Sequence, residues 1–188
     1  MRGKLYFLSK RLFDVTGAAI GLCLLSLPLA GCVVAIRMTS RSTGLFRQVR
    51  IGRDGRPFVC YKLRTMRADT PSCAAARLTN PQSYVTPLGA ILRRISLDEA
   101  PQLYNILRGD MSFVGPRPLI PEERELHRLR QENGVYRMRP GLSGLSQISG
   151  RDTLPDGRKA RLDAVYADAA SPLLDLSILW KTFGCIRH

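Results

Sequence analysis

No charged residue occurs between Val15 and Ile36. A helix over that run reaches about 33 Å, enough to cross the core of a bilayer. It is long for a helix buried in a soluble domain. It is also unlike a signal peptide, because it passes straight into Arg37-Met38-Thr39 without a small-residue cleavage site. Pro28 lies near its middle, two residues after Ser26. A proline there frees a backbone carbonyl and bends the helix, and a nearby serine hydroxyl is placed to serve the freed group. Arg2, Lys4, Lys10 and Arg11 precede the run, and Arg37, Arg41, Arg47, Arg50 and Arg53 follow it. Positive residues on both flanks favour two cytoplasmic ends. The pattern therefore predicts a re-entrant membrane helix over residues 12–37, bent at Pro28 and returning to the leaflet it left.

Shorter patterns follow. Leu45–Ile51 and Phe58–Leu63 flank Gly52-Arg53-Asp54-Gly55, the signature of a β-hairpin. Lys62 and Arg64 alternate along its second run and share a face; they are either charges that protect a sheet edge or a pair of anion contacts. Arg67–Thr86 lacks periodicity and reads as a loop. Leu88–Ile95 reads as a short helix carrying Arg93 and Arg94, Gln102–Leu107 as an amphipathic helix stopped at Gly109, and Pro121–Asn133 as a charged surface helix with proline at its start. Ser171-Pro172 caps a broadly apolar last helix in which Trp180 beside Lys181 suits a membrane interface, with core packing as the alternative. The fold class is α+β: a mostly helical small domain with a short β-hairpin and an N-terminal re-entrant membrane helix.

The 188 residues suffice for one domain with a core. The net charge of +14 and a pI near 10.4 point to a polyanionic partner: nucleic acid, anionic lipid or a phosphorylated substrate. Aromatic content of 7% without interleaved basic and aromatic positions disfavours nucleic acid. The five cysteines form no Cys-x-x-Cys pair and suit a reduced compartment. With His127 and His188 as the only histidines, a Ser-His-Asp triad or a histidine-rich metal site is disfavoured, and chemistry must rest on carboxylates, Lys and Arg.

Those groups concentrate between Ser96 and Pro118. Asp98-Glu99 stands at one end and the stiff corner Gly115-Pro116-Arg117-Pro118 at the other. Ser96 with Glu99 fits a capping box, and Asp98 would then complement a helix dipole. The same residues would also place carboxylates beside a bound phosphate. Two prolines around one arginine fix its backbone, which is wasteful unless the direction of Arg117 matters. The second basic stretch, Arg137 to Arg151, is rich in glycine and permits close backbone approach to a ligand, or is a plain loop.

The run Ser-Leu-Asp-Glu-x-Pro-Gln-Leu-x-Asn-x-Leu-x-Gly-Asp-Met-Ser-x-Val-Gly-Pro-Arg-Pro resembles the signature of the bacterial sugar transferases, the monotopic phosphoglycosyl transferases. Tyr61-Lys62-Leu63-Arg64-Thr65-Met66 and Arg139-Pro-Gly-x-x-Gly-x-x-Gln147-x-x-Gly-Arg151 match it too, so the resemblance runs from Lys10 to about Phe183. Members of that family move a phospho-sugar from a nucleotide diphospho-sugar to a polyprenyl phosphate. The resemblance implies a single domain over 1–188 with 38–188 as its cytosolic catalytic part, on the cytoplasmic face of the bacterial inner membrane. It implies Asp98 as nucleophile forming an aspartyl-phosphosugar, Glu99 as ligand of Mg2+, and Lys62, Arg64, Arg93, Arg117, Arg139, Gln147 and Arg151 as substrate contacts. It further implies a UDP-sugar donor, undecaprenyl phosphate as acceptor, UMP as product, membrane lipid around the helix, no nucleic acid, and room for a homodimer. Two departures stand out: Arg41-Ser42-Thr43-Gly44 replaces the usual Ser-Pro-Gly-Pro approach to the hairpin, and Leu145 stands where tryptophan is common. A membrane-anchored nucleic-acid binder or a non-catalytic member of a glycan-assembly complex would share the charge or the anchor, but the first would leave the acid pair unexplained.

Overall fold

The structure is a computed structural model describing residues 2–40, 42–70, 80–150 and 153–186. Its first element, helix α1 (Arg2–Ser40), runs unbroken through Pro28. Asp14, Ala18, Leu22, Leu25, Leu29, Val33 and Ile36 recur every three or four residues and form one stripe along it. The first half of that stripe packs on Leu103, Ile106 and Met111. The second half packs on Leu63 and Leu92. Both halves therefore lie against the folded body, while Leu24, Leu27 (83% exposed) and Met38 face outward. Ser26 does not serve the carbonyl that Pro28 frees. That carbonyl belongs to Leu24, four residues back, whereas the Ser26 hydroxyl donates to Cys23 O at 2.8 Å.

Strands β1 (Leu45–Ile51) and β2 (Pro57–Leu63) form the hairpin, in register from Leu45↔Leu63 to Ile51↔Pro57. Asp54 and Gly55 take positive φ at its turn. Helix α2 (Pro87–Arg94) starts from a Thr86 cap, whose hydroxyl accepts from Gly89 N at 2.9 Å. A Cβ on Gly89 would lie 2.1 Å from Thr65 O, so only glycine lets α2 sit this close to the chain leaving the hairpin. Helix α3 (Gln102–Arg108) ends at Gly109 with φ 100°. Its Asn105 is fully buried and joins the helix to β2: Tyr61 N donates to Oδ1 at 3.1 Å, and Nδ2 donates to Val59 O at 2.7 Å.

Strand β3 (Ser112–Val114) pairs in parallel with β4 (Gly141–Ser143), through Ser112↔Gly141 and Val114↔Ser143. Between them lies α4 (Arg124–Glu132). The proline start expected for this helix is not observed. Glu123 accepts from Ile120 N at 2.8 Å, and its own N–H donates to Ile120 O, which holds Pro121 and Glu122 in a turn and delays the helix. A single turn, α5 (Leu145–Ile148), leads to α6 (Asp156–Ala169) and then α7 (Pro172–Ile186), whose Leu174 N–H reaches Ser171 Oγ as the cap predicted. The α4–α6 contact contains Arg130 and Asp163, 2.6 Å apart, with side chains only 4% and 1% exposed. A buried pair of this kind loses about 3–5 kcal/mol when one partner is removed, because the other charge stays behind uncompensated. The architecture is the α+β class expected: mostly helical, with one short antiparallel hairpin and a long apolar N-terminal helix.

Candidate active site

The acid pair sits in a tight turn between α2 and α3. Ser96 takes left-handed φ and ψ (56°, 19°), and its side chain makes no capping bond. The capping-box reading of Ser96 and Glu99 therefore fails. A non-glycine residue in this region is uncommon and strained; here it reverses the chain so that the turn Leu97–Glu99 folds back against β2. Asp98 ends 8% exposed and Glu99 half-exposed beside it.

Lys62, on β2, meets Glu99 across this turn, with Nζ to Oε1 at 2.6 Å. Arg93, on the last turn of α2, donates through Nε to Thr65 Oγ1 at 2.8 Å, while Thr65 O accepts from Thr86 N at 3.0 Å. Thr65 is thus a fixed post for the guanidinium. Burial raises the Asp98 carboxyl above its usual range, and the charge of Glu99 raises it further, while Lys62 and Arg93 pull the other way. The structure accordingly gathers Lys62, Arg93, Asp98 and Glu99 into one electrostatic cluster.

The Gly115–Pro118 corner is held from behind. Arg117 O accepts from Arg130 at 2.7 Å, and the Arg117 guanidinium lies 3.7 Å from Glu123. Arg50 of β1 donates to Pro118 O at 2.9 Å and to Gln48 Oε1 at 2.6 Å. Burial lowers the affinity of Arg50 for its proton, Arg117 lowers it next, and Glu99 is among the acids that oppose this. Arg50 therefore ties the hairpin to the corner through Pro118 O. The sequence pattern presents it as one more flanking charge; its register position beside Phe58 is the signal that would have placed it on the site side of the hairpin.

Other expected contacts fall differently. Arg139 donates through Nε to Gly109 O at 3.0 Å, which ties it to the C-terminal end of α3. Arg64 stacks over Phe46, 5.9 Å from the ring centre, with a buried Nε that has no partner among the described residues. Gln147 donates to Leu142 O at 3.1 Å, and its buried Oε1 is likewise unmatched. Arg151 lies outside the described residues. No group of three or more His, Cys, Asp or Glu converges among the described residues. Two adjacent carboxylates fit Mg2+, which keeps several waters and takes one or two carboxylates together with substrate phosphates.

The raised Asp98 carboxyl carries a stability penalty that is present above its folded pKa and gone below the ordinary value of 3.8. Asp98→Asn is expected to melt at a higher temperature than the parent at neutral pH, with the gap closing as the pH falls toward 3.8. Equal melting points at neutral pH in thermal scans would show that burial of this carboxylate is not unfavourable.

Comparison with known proteins shows the family. A profile described as bacterial sugar transferase matches residues 5–188. The uncharacterized sugar transferase EpsL of Bacillus subtilis is 39% identical over 92% of this chain and 84% of its own length. The exopolysaccharide production protein ExoY of Rhizobium meliloti is 38% identical over 95% and 85%. The UDP-glucose:undecaprenyl-phosphate glucose-1-phosphate transferase of Caulobacter vibrioides is 44% identical over 93% of this chain and 68% of its own length. A profile spanning the membrane helix, the acid pair and the proline-flanked arginine, with relatives aligned over nearly the whole chain, places this protein in the bacterial sugar transferase family.

Proposed function

We propose that this enzyme transfers a phospho-sugar from a UDP-sugar to undecaprenyl phosphate, through a covalent intermediate on Asp98. The observation that supports this most is the setting of Asp98: a buried carboxylate raised by its surroundings, with Lys62 and Arg93 as its nearby positive charges. A nucleophile that is poorly solvated and flanked by cations suits attack on an anionic phosphorus. The transferase named for Caulobacter vibrioides acts with UDP-glucose and undecaprenyl phosphate by its description, which agrees with this donor and acceptor class.

In the first half-reaction a carboxylate oxygen of Asp98 attacks the sugar-bearing phosphorus, and the bond from that phosphorus to the bridging oxygen breaks, so UMP leaves with the electron pair. In the second, an oxygen of the lipid phosphate attacks the same phosphorus, and the acyl-phosphate bond breaks, restoring the carboxylate. Arg93 faces the phosphoryl oxygens in both steps. Lys62 holds Glu99, and Arg50 and Arg117 are cations of the neighbouring corner. Glu99 is the residue that would hold Mg2+, whose chemistry is to neutralise the diphosphate. The unmatched Oε1 of Gln147 offers an acceptor to a hydroxyl or N–H of the donor.

The membrane assignment rests on α1. Its outward face is apolar and its inward face is attached to the catalytic body on both sides of Pro28, an arrangement that suits a helix lying in one leaflet of the inner membrane with both ends cytoplasmic. With cysteines placed at positions 2 and 54 of a cysteine-free protein, an impermeant reagent is expected to label neither in intact cells and both after permeabilisation. Labelling of one alone in intact cells would establish a transmembrane span instead.

Given donor and Mg2+ without lipid, the protein is expected to gain the mass of one phospho-sugar and release one UMP, and added undecaprenyl phosphate should discharge it. Asp98→Asn should lose both adduct and turnover. Direct attack by the lipid predicts neither adduct nor UMP before lipid is added, so rapid-quench mass spectrometry separates the routes. Glu99→Gln should lose most Mg2+-dependent turnover, since an amide oxygen is a poor ligand for a hard cation; unchanged activity and Mg2+ response would return Glu99 to a structural role.

A further inference from the structure

Helix α2 has a row of side chains that packing does not explain. Leu92 is buried in a cluster with Ile36 and Leu63, against which Leu88 and, from the second half of α1, Leu29, Cys32 and Val33 also pack. Ile91 and Ile95, one turn apart, are 59% and 56% exposed. Isolated exposed apolar residues are ordinary. These two, however, share one face with Leu88 at their flank, and the remaining side chains of the last turn are the arginines 93 and 94. The row is therefore an apolar strip that borders the membrane helix on one side and ends in two positive charges. Its last residue stands three positions before Asp98, and the left-handed Ser96 turns the chain from the strip directly into the acid pair.

We propose that the Ile91–Ile95 face of α2 is the docking strip for the first isoprene units of the lipid-phosphate acceptor, guiding its phosphate from the bilayer to Arg93, Arg94 and the phosphorus held on Asp98. This inference rests on the function proposed above and names the surface for its second substrate. Two features select this occupant. Leu88, at the flank of the strip, packs in the cluster that joins α2 to the second half of α1, so the strip lies beside the apolar helix. The charges at its end match an anionic headgroup, and Arg93 already acts on Asp98. A bulk acyl chain would satisfy the isoleucines but would have no use for the arginine-terminated path into the site.

The test separates the half-reactions in wild-type protein and in the double variant Ile91→Ser, Ile95→Ser, both reconstituted in nanodiscs. Adduct formation and UMP release without lipid should be unchanged in the variant. Discharge by undecaprenyl phosphate should show a KM raised at least about tenfold, the loss expected for two apolar contacts. Discharge by methyl phosphate, which carries no isoprene chain to lie on the strip, should change far less. Two results would overturn the proposal: equal loss with both acceptors or with neither, and weakened flotation of the variant with liposomes of the same lipid composition, which would show that the isoleucines contact bulk bilayer. A variant that fails to form adduct is replaced by Ile91→Ala, Ile95→Ala, read in the same way. Absence of adduct in the wild type would refute the covalent route itself and is distinct from either result.

Discussion

One helix face carries the attachment on which the rest of this protein depends. The inward stripe of α1 touches α2, α3, β2 and β3 in turn, and four polar side chains near its start fix its register. Lys10 and Tyr6 meet Asp175 of α7 at 2.7 and 2.9 Å. Arg11 donates to the terminal carbonyls of α3, Ile106 O and Leu107 O. Asp14 accepts from Ser112 Oγ and Phe113 N, both at 3.1 Å. Apolar packing alone would let the body slide along the helix, since dispersion contacts are undirected. A buried carboxylate that must accept its two hydrogen bonds tolerates one alignment, because an unmatched one costs several kcal/mol. β3, which Asp14 holds, runs directly into the Gly115–Pro118 corner, so the membrane helix sets the height of Arg117.

The second constraint acts on Asp98 and opposes stability. Burial and an adjacent carboxylate both disfavour its charge. The fold accepts this because the surroundings over-determine the turn: Asn105 welds α3 to β2, Gly89 lets α2 approach Thr65, and Ser96 is forced into a left-handed conformation between them. Local strain and an unfavourable charge at the same few residues are the pattern expected where reactivity is stored. By contrast, the Arg130–Asp163 pair, equally buried, is matched on every side: Ser146 donates to the second Asp163 oxygen and Arg130 also serves Arg117 O. It braces the corner and does no chemistry.

How far the sequence revealed this structure follows from where each signal lies. The hairpin was legible to within a residue, because its turn chemistry and strand runs are local. The α7 cap was legible for the same reason. Helix α6 was not, since its inward stripe of Ala160, Asp163, Tyr166 and Ala167 puts a charge at the very position that periodicity expects to be apolar. The parallel β3–β4 pair was hidden because strands of three residues, far apart in the chain, leave no periodic trace. Within the site, Asp98, Glu99, Lys62 and Arg93 were found through the motif, and the structure brings them together. Arg139 belongs to the same motif-bearing text and donates to Gly109 O, and Arg50 is not legible because only the hairpin register shows which way it faces.

The economy of the charge cluster bears on the proposed order of events. A ternary mechanism would hold the diphosphate donor and the lipid phosphate at once, and would need a separate set of cations for each. Among the described residues, Lys62 and Arg93 are the cations that act on Asp98, and Lys62 also pairs with Glu99. One such cluster suffices if the phosphates arrive in sequence, because UMP vacates the charges that the lipid phosphate then uses. Sequential use also reconciles two substrates from different phases. In the proposed sequence the soluble donor comes first, the lipid follows along α2, and Asp98 carries the phospho-sugar between these visits. On this view the covalent step is what allows so small a domain to join a cytosolic nucleotide sugar to a membrane lipid with a single phosphate site.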